Sequence, residues 1–165
     1  MKEGLFDIGM VGMKVEDEQI ECIPFYQDNM ILITPVNEHF LEIQQNGDWS
    51  ITKLLEEPII MREVGNGNKK TADLFLESIG VSNDDINIIA RVNDQEAIKN
   101  MVAGGLGISI ISEMAARNFL AAKRILSFPL DEYTSGRQIY LIYRKDYILS
   151  SYVQNFLKFI KKKYL

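Results

Sequence analysis

The stretch Asn93–Ser112, N-D-Q-E-A-I-K-N-M-V-A-G-G-L-G-I-S-I-I-S, decides how the chain is read. Asn93 is a strong N-cap type, and Glu96 stands three residues on, the spacing of a capping box. Ala97, Ile98, Met101 and Val102 then fall on one helical face. Gly104 and Gly105 end the helix, because the left-handed conformation that closes a helix costs glycine nothing. Gly107–Ile111 reads as a short buried strand, and Ser112 is placed to cap the next helix. Polar helix-start groups and a bare glycine backbone beside a strand end, with no catalytic side chain among them, are the equipment of a binding cleft and point away from chemistry.

Working outward, short β-type runs alternate with helical ones. Strands are expected at Phe6–Val11, Ile20–Phe25, Met30–Pro35, Ile59–Met61, Ile86–Val92, Ile108–Ile111 and Ile139–Tyr143. Helices are expected over Asn68–Ile79, where Ala72, Phe75, Leu76 and Ile79 share a face and Gly80 stops the run, and over Glu113–Phe119. A last helix over Ser150–Tyr164 aligns Val153, Phe156, Leu157, Ile160 and Tyr164. Gln44–Thr52 reads as a loop into a short helix at Thr52–Glu56. The alternation predicts an α/β protein with largely parallel sheets. Crossings between two lobes would be short, near Phe25–Asn29 and Ser127–Asp131.

Bulk composition narrows the function. The 165 residues are 47% hydrophobic and 25% charged, ordinary for a globular protein with a real core. No apolar run is long enough to span a membrane, and the N-terminus has no extended apolar stretch, so neither a membrane nor a secretory leader is expected. The lone Cys22 cannot form an internal disulfide and fits a reducing, cytoplasmic compartment. A net charge of −5 argues against a nucleic-acid grip by this chain itself. Its one basic cluster, Lys161–Lys163, complements the negative end of the last helix.

Catalytic and metal residues are not expected. His39 is the only histidine and sits in what reads as an exposed loop, so neither a zinc site nor a Ser-His-Asp arrangement can be assembled. Gly65-Asn66-Gly67-Asn68-Lys69-Lys70-Thr71 follows a strand and opens a helix, but Lys69 stands where a Walker A loop needs glycine. Lys70 likewise replaces the third glycine of a dinucleotide fingerprint, so no nucleotide cofactor is expected. Free backbone N–H groups at that helix start can still hold a small anion, with Lys69 adding charge; a plain capped helix behind a tight turn fits the same residues.

In order along the chain, these segments resemble the effector-binding domain of LysR-type transcriptional regulators. Glu3–Met10 is similar to the family's EG-x-x-D-I-G/A strand, and Pro24–Asp28 with Met30–Pro35 to its crossover strand. Val36–Leu41 resembles a turn of the family in which Phe40 replaces the usual proline. Ile60–Thr71 resembles I-x-R-E-x-G-S-G-T-R: Arg62, Glu63, Gly65 and Gly67 match, whereas Asn66, Asn68 and Lys69 replace Ser, Thr and Arg. The opening stretch resembles N-x-E-A-I-K-x-M-V-x-A-G-L-G-I, with Gly104 for the alanine, and Arg137–Lys145 resembles the late R-x-(I/L)-x-L-(V/I)-x-R-K strand.

The resemblance implies a two-lobed α/β fold of the periplasmic-binding-protein type (type 2), with lobe II complete and lobe I partial. It places partial lobe I at 1–25, lobe II at 26–128 and the return to lobe I at 129–165. A small effector, a carboxylate or other small anion, would lie between the lobes. It would meet Val64, Gly65, Asn66, Gly67, Asn68 and Lys69 from one turn, Gly105, Gly107 and Ile108 from another, and Val11 and Gly12 from lobe I. The intact regulator would be a homodimer that touches DNA only through a winged helix-turn-helix not in this chain. The alternative is a solute-binding protein of a transporter, which shares the cleft but needs export. An enzyme on the same scaffold would need a polar catalytic group at these turns, and none stands there.

Overall fold

The computed structural model describes residues 6–47, 49–63, 67–82, 84–130 and 136–164, with the backbone alone at 67–71 and 137. The chain divides into a smaller unit, Met1–Asp28 with Arg137–Leu165, and a larger one, Asn29–Gly136. The elements are β1 (Ile8–Val11), β2 (Ile20–Pro35), α1 (Glu38–Asn46), α2 (Ile51–Leu54), β3 (Ile59–Arg62), α3 (Gly67–Ser78) and β4 (Ile88–Val92). They continue with α4 (Gln95–Ala103), β5 (Ser109–Ser112), α5 (Glu113–Ala121), β6 (Ile125–Pro129), β7 (Gly136–Arg144) and α6 (Ser151–Tyr164).

The larger unit is a three-layer sandwich, and strand alternation shows why. In β2, Met30 and Leu32 belong to one apolar cluster while Ile31 and Ile33 belong to another. The same alternation separates Ile59 and Met61 from Ile60 in β3, and Ile110 from Ile111 in β5. A sheet apolar on both faces must be covered on both. Phe40, Leu54, Phe75 and Leu76 of α1, α2 and α3 cover one face. Ile98, Val102, Ala116 and Phe119 of α4 and α5 cover the other.

The strands run in mixed directions, a correction to the largely parallel sheet expected. β3 and β4 are parallel, and β3 meets β5 through a parallel bridge between Ile59 and Ile108. β2, however, is antiparallel to both β5 and β6, with Ile31 opposite Ile111 on one side and Pro129 on the other. Periodicity reports which residues are buried, not which way a strand runs. The two strands expected at Ile20–Phe25 and Met30–Pro35 are one 16-residue strand, because the polar Gln27–Asn29 interrupts the apolar pattern without interrupting the backbone. β6 occupies part of the expected crossing at Ser127–Asp131. The turn expected at Val36–Leu41, which put His39 in a loop, is instead the start of α1, capped by the Asn37 side chain accepting from the Phe40 N–H at 3.0 Å.

In the smaller unit β1 pairs antiparallel with β7, from Ile8 opposite Tyr143 to Val11 opposite Tyr140. β7 also neighbours β2, where the Gln138 side chain donates to the Tyr26 carbonyl at 2.9 Å. α6 buries Leu157 and Ile160 against Leu141, with Phe25, Tyr143 and Val153 around them.

Candidate functional site

Parallel pairing of β3 with β4, from Ile59 opposite Ile88 to Arg62 opposite Val92, makes both strands end together. α3 begins five residues beyond Arg62 and α4 three beyond Val92, so two helix N-termini open at one edge of the sheet. The carboxyl edge of parallel strands is where α/β folds offer backbone N–H groups and dipoles to ligands. Asp94, one residue later than the expected Asn93, caps α4, its carboxylate accepting from the Glu96 N–H at 2.9 Å. Asn93 instead turns its amide oxygen toward the Arg62 guanidinium, 3.5 Å away.

Arg62 is the residue at this edge that the sequence reading did not single out for the site, although it matched the family pattern. Its Nε is buried and has no hydrogen-bond partner among the described residues. A buried guanidinium N–H without an acceptor is costly, and a carboxylate or other oxyanion is its natural complement. α3 carries no acidic residue in its first turn, where the dipole favours one. The chain places Lys69 and Lys70 there instead. Of the residues expected at this turn, Gly67, Asn68 and Lys69 open α3, and Val64, Gly65 and Asn66 lie outside the described residues.

The second expected turn is placed elsewhere. After α4 the Leu106 N–H donates to Met101 O at 3.1 Å and Gly105 N–H to Val102 O at 2.9 Å, a Schellman closure with Gly105 at φ +81°. Gly107 then passes so close to β3 that a Cβ would lie 2.3 Å from the Pro58 carbonyl oxygen. Ile108 exchanges hydrogen bonds of 2.8 Å with Pro58 O and Ile60 N–H and is fully buried. Because β3 and β5 are parallel, this turn adjoins the beginning of β3, whereas α3 follows its end. The four residues of β3 separate them by roughly 13 Å, so the structure does not bring Gly105, Gly107 and Ile108 to the start of α3. Val11 ends β1 in the smaller unit, and Gly12 follows it with open space where a side chain would stand.

Two further polar devices stabilise the larger unit. Ser109 Oγ donates to Ile60 O at 2.7 Å, tying β5 to β3. Lys99, 2% exposed, donates to Glu96, to Ala115 O at 2.8 Å and to Asn118 Oδ1 at 3.0 Å, and its Nζ lies 4.8 Å from the centre of the Phe119 ring. Among the described residues no group of three metal-ligating side chains could hold an ion, and no helix is long and apolar enough to cross a membrane.

Residues 1–164 match the family described as LysR substrate binding domain. The HTH-type transcriptional activator CmpR of Synechocystis is 31% identical over 165 residues, covering 97% of this chain and 51% of CmpR. An uncharacterized HTH-type transcriptional regulator of Methanocaldococcus jannaschii is 29% identical, covering 98% of this chain and 53% of that protein. This chain thus spans about half the length of the curated relatives it matches. The Synechocystis CcmR regulatory domain in complex with 2-PG has the same fold, with a TM-score of 0.78 and 25% identity over 98% of this chain and 75% of that one. The chain belongs to the LysR substrate-binding domain family.

Proposed function

We propose that this chain is the effector-sensing part of a LysR-type transcriptional regulator, working in the cytoplasm and without catalysis of its own. The effector is a small anion, held at the carboxyl edge of β3 and β4 by the start of α3, Gly67–Lys69, together with Arg62 and Asn93; Val64, Gly65 and Asn66 join the site on the family resemblance alone. Gly105, Gly107 and Ile108 serve it indirectly, by locking β5 against β3. DNA contact and homodimer formation belong to the intact regulator. The observation that carries this reading is the buried Nε of Arg62, without a hydrogen-bond partner among the described residues, at a sheet edge followed by a helix start that holds lysines and no acid. The regulatory domain similar to this one was seen with a small molecule, 2-PG, which supports an effector of that size.

Thermal-shift titrations with sulfate, phosphate and small carboxylates at fixed ionic strength test it. A saturable rise in melting temperature for one of these anions is expected, weakened about tenfold or more in Arg62→Gln, the cost of one charge-assisted hydrogen bond. An anion response unchanged in that variant would remove Arg62 from the site.

A further inference from the structure

α1, α2 and the residues flanking α2 line an open cavity of about 490 Å³ in the larger unit. Its volume lies within the range of small-molecule sites. Ile43, Trp49 and Leu54 give it an apolar floor. Trp49 is held in place by an edge-on contact with the buried Phe128, ring centres 5.1 Å apart.

The rim is polar and leans acidic. Glu56 and Glu57 stand side by side where the chain leaves α2, against the single ammonium of Lys53. Glu57 Oε1 is 3.1 Å from His39 Nε2, and His39 stacks edge-on against Phe40. Glu56 makes no ion pair among the described residues, its backbone N–H alone being engaged with Lys53 O at 3.2 Å. A tryptophan and aliphatic floor beside carboxylates suits a ligand with an apolar body and a positive head.

The geometry points to a second ligand site, for a small organic ammonium compound with an aromatic or branched apolar body. The body rests on Trp49, Leu54 and Ile43, and the ammonium donates to Glu56 and Glu57. This site is opposite in charge preference to the anion site proposed above.

Trp49 is the only tryptophan of the chain, so its fluorescence comes from the wall of this cavity. Titration with phenethylammonium is expected to give a saturable change in intensity or wavelength. Phenylacetate and 2-phenylethanol, which keep the ring and lose the cation, are expected to bind about tenfold more weakly or worse, and Glu56→Gln to weaken the ammonium probe about tenfold. Glu56 is exposed and its side chain supports no fold contact among the described residues, so the variant keeps its structure. The absence of a saturable signal, equal binding of the neutral or anionic probe, or an unchanged affinity in both Glu56→Gln and Glu57→Gln would each overturn the proposal. The anion titration on the Arg62 variant is read independently by melting temperature, so the failure of one proposal is distinguishable from failure of the other.

Discussion

Gly107 lies against Pro58 so closely that a single added carbon would sit 2.3 Å from its carbonyl oxygen. That carbonyl is itself engaged, accepting from the Ile108 N–H at 2.8 Å, so it cannot turn aside without breaking the junction of β3 and β5. Gly107→Ala is therefore expected to cost about 3 kcal/mol, an overpacking penalty against backbone. Gly105 differs: nothing lies near its missing side chain, and only its φ of +81° resists substitution. Gly105→Ala is expected to cost about 1 kcal/mol, and Gly105→Asn less. Urea denaturation of the three variants checks the order; equal losses at both glycines would show that conformation, not contact, governs the turn.

Asp94 takes the capping role that spacing alone assigned to Asn93. The Asp94 carboxylate caps α4 through the Glu96 N–H, while Asn93 faces Arg62. Asp94→Ala is expected to lose about 1 kcal/mol of stability, the usual value of an N-cap. Asn93→Ala should leave stability nearly unchanged and alter the anion response instead. Chemical denaturation and anion titration of the two variants separate these outcomes; a larger stability loss at Asn93 would restore it as the cap.

The fold was legible because both faces of the central sheet write their own period into the sequence. Ile98 and Val102 of α4, Phe75 and Leu76 of α3, and the Ile108–Ile111 run are all buried where periodicity puts them. Ser112 caps α5, its hydroxyl accepting from the Ala115 N–H at 3.2 Å, as its position before an apolar helix foretold. Strand direction left no such mark, so the antiparallel course of β2 came only with the structure. The Gly105–Ile108 turn lies at the far end of β3 from α3 because β5 runs parallel to β3, and periodicity does not say which strands are neighbours. Arg62 was hidden for another reason. An arginine at a strand end reads as a solvated charge, and only the burial of its Nε shows otherwise.

Lys99 was equally invisible, since a lysine in an amphipathic helix is assigned to water by default. Three acceptors surround its ammonium, and two of them, Ala115 O and Asn118 Oδ1, belong to α5. Lys99→Met keeps the buried stem and removes the donors. It is expected to cost about 2 kcal/mol, because the Asn118 amide oxygen loses its charged donor and the buried pocket around the ammonium loses its hydrogen bonds. Asn118→Ala in that background should cost less than in the parent, as both residues serve one network. A neutral Lys99→Met, measured by denaturant midpoint, would mean that water replaces the ammonium.

Arg144, at the end of β7, donates through Nε to Asp146 Oδ1 at 2.9 Å. That hydrogen bond lowers the Asp146 carboxyl from the ordinary aspartate value, and the same hydrogen bond, with the carboxylate's charge second, raises the Arg144 guanidinium. A carboxylate whose pKa is lower folded than unfolded contributes stability above its unfolded value, and that contribution is lost as pH falls through the folded one. The pair therefore adds acid sensitivity only below the ordinary aspartate range and leaves stability flat across neutral pH. The carbon-detected titration of Asp146 should move up toward the ordinary value in Arg144→Gln. A midpoint in the parent protein already at the ordinary value would show that solvent screens this exposed pair completely.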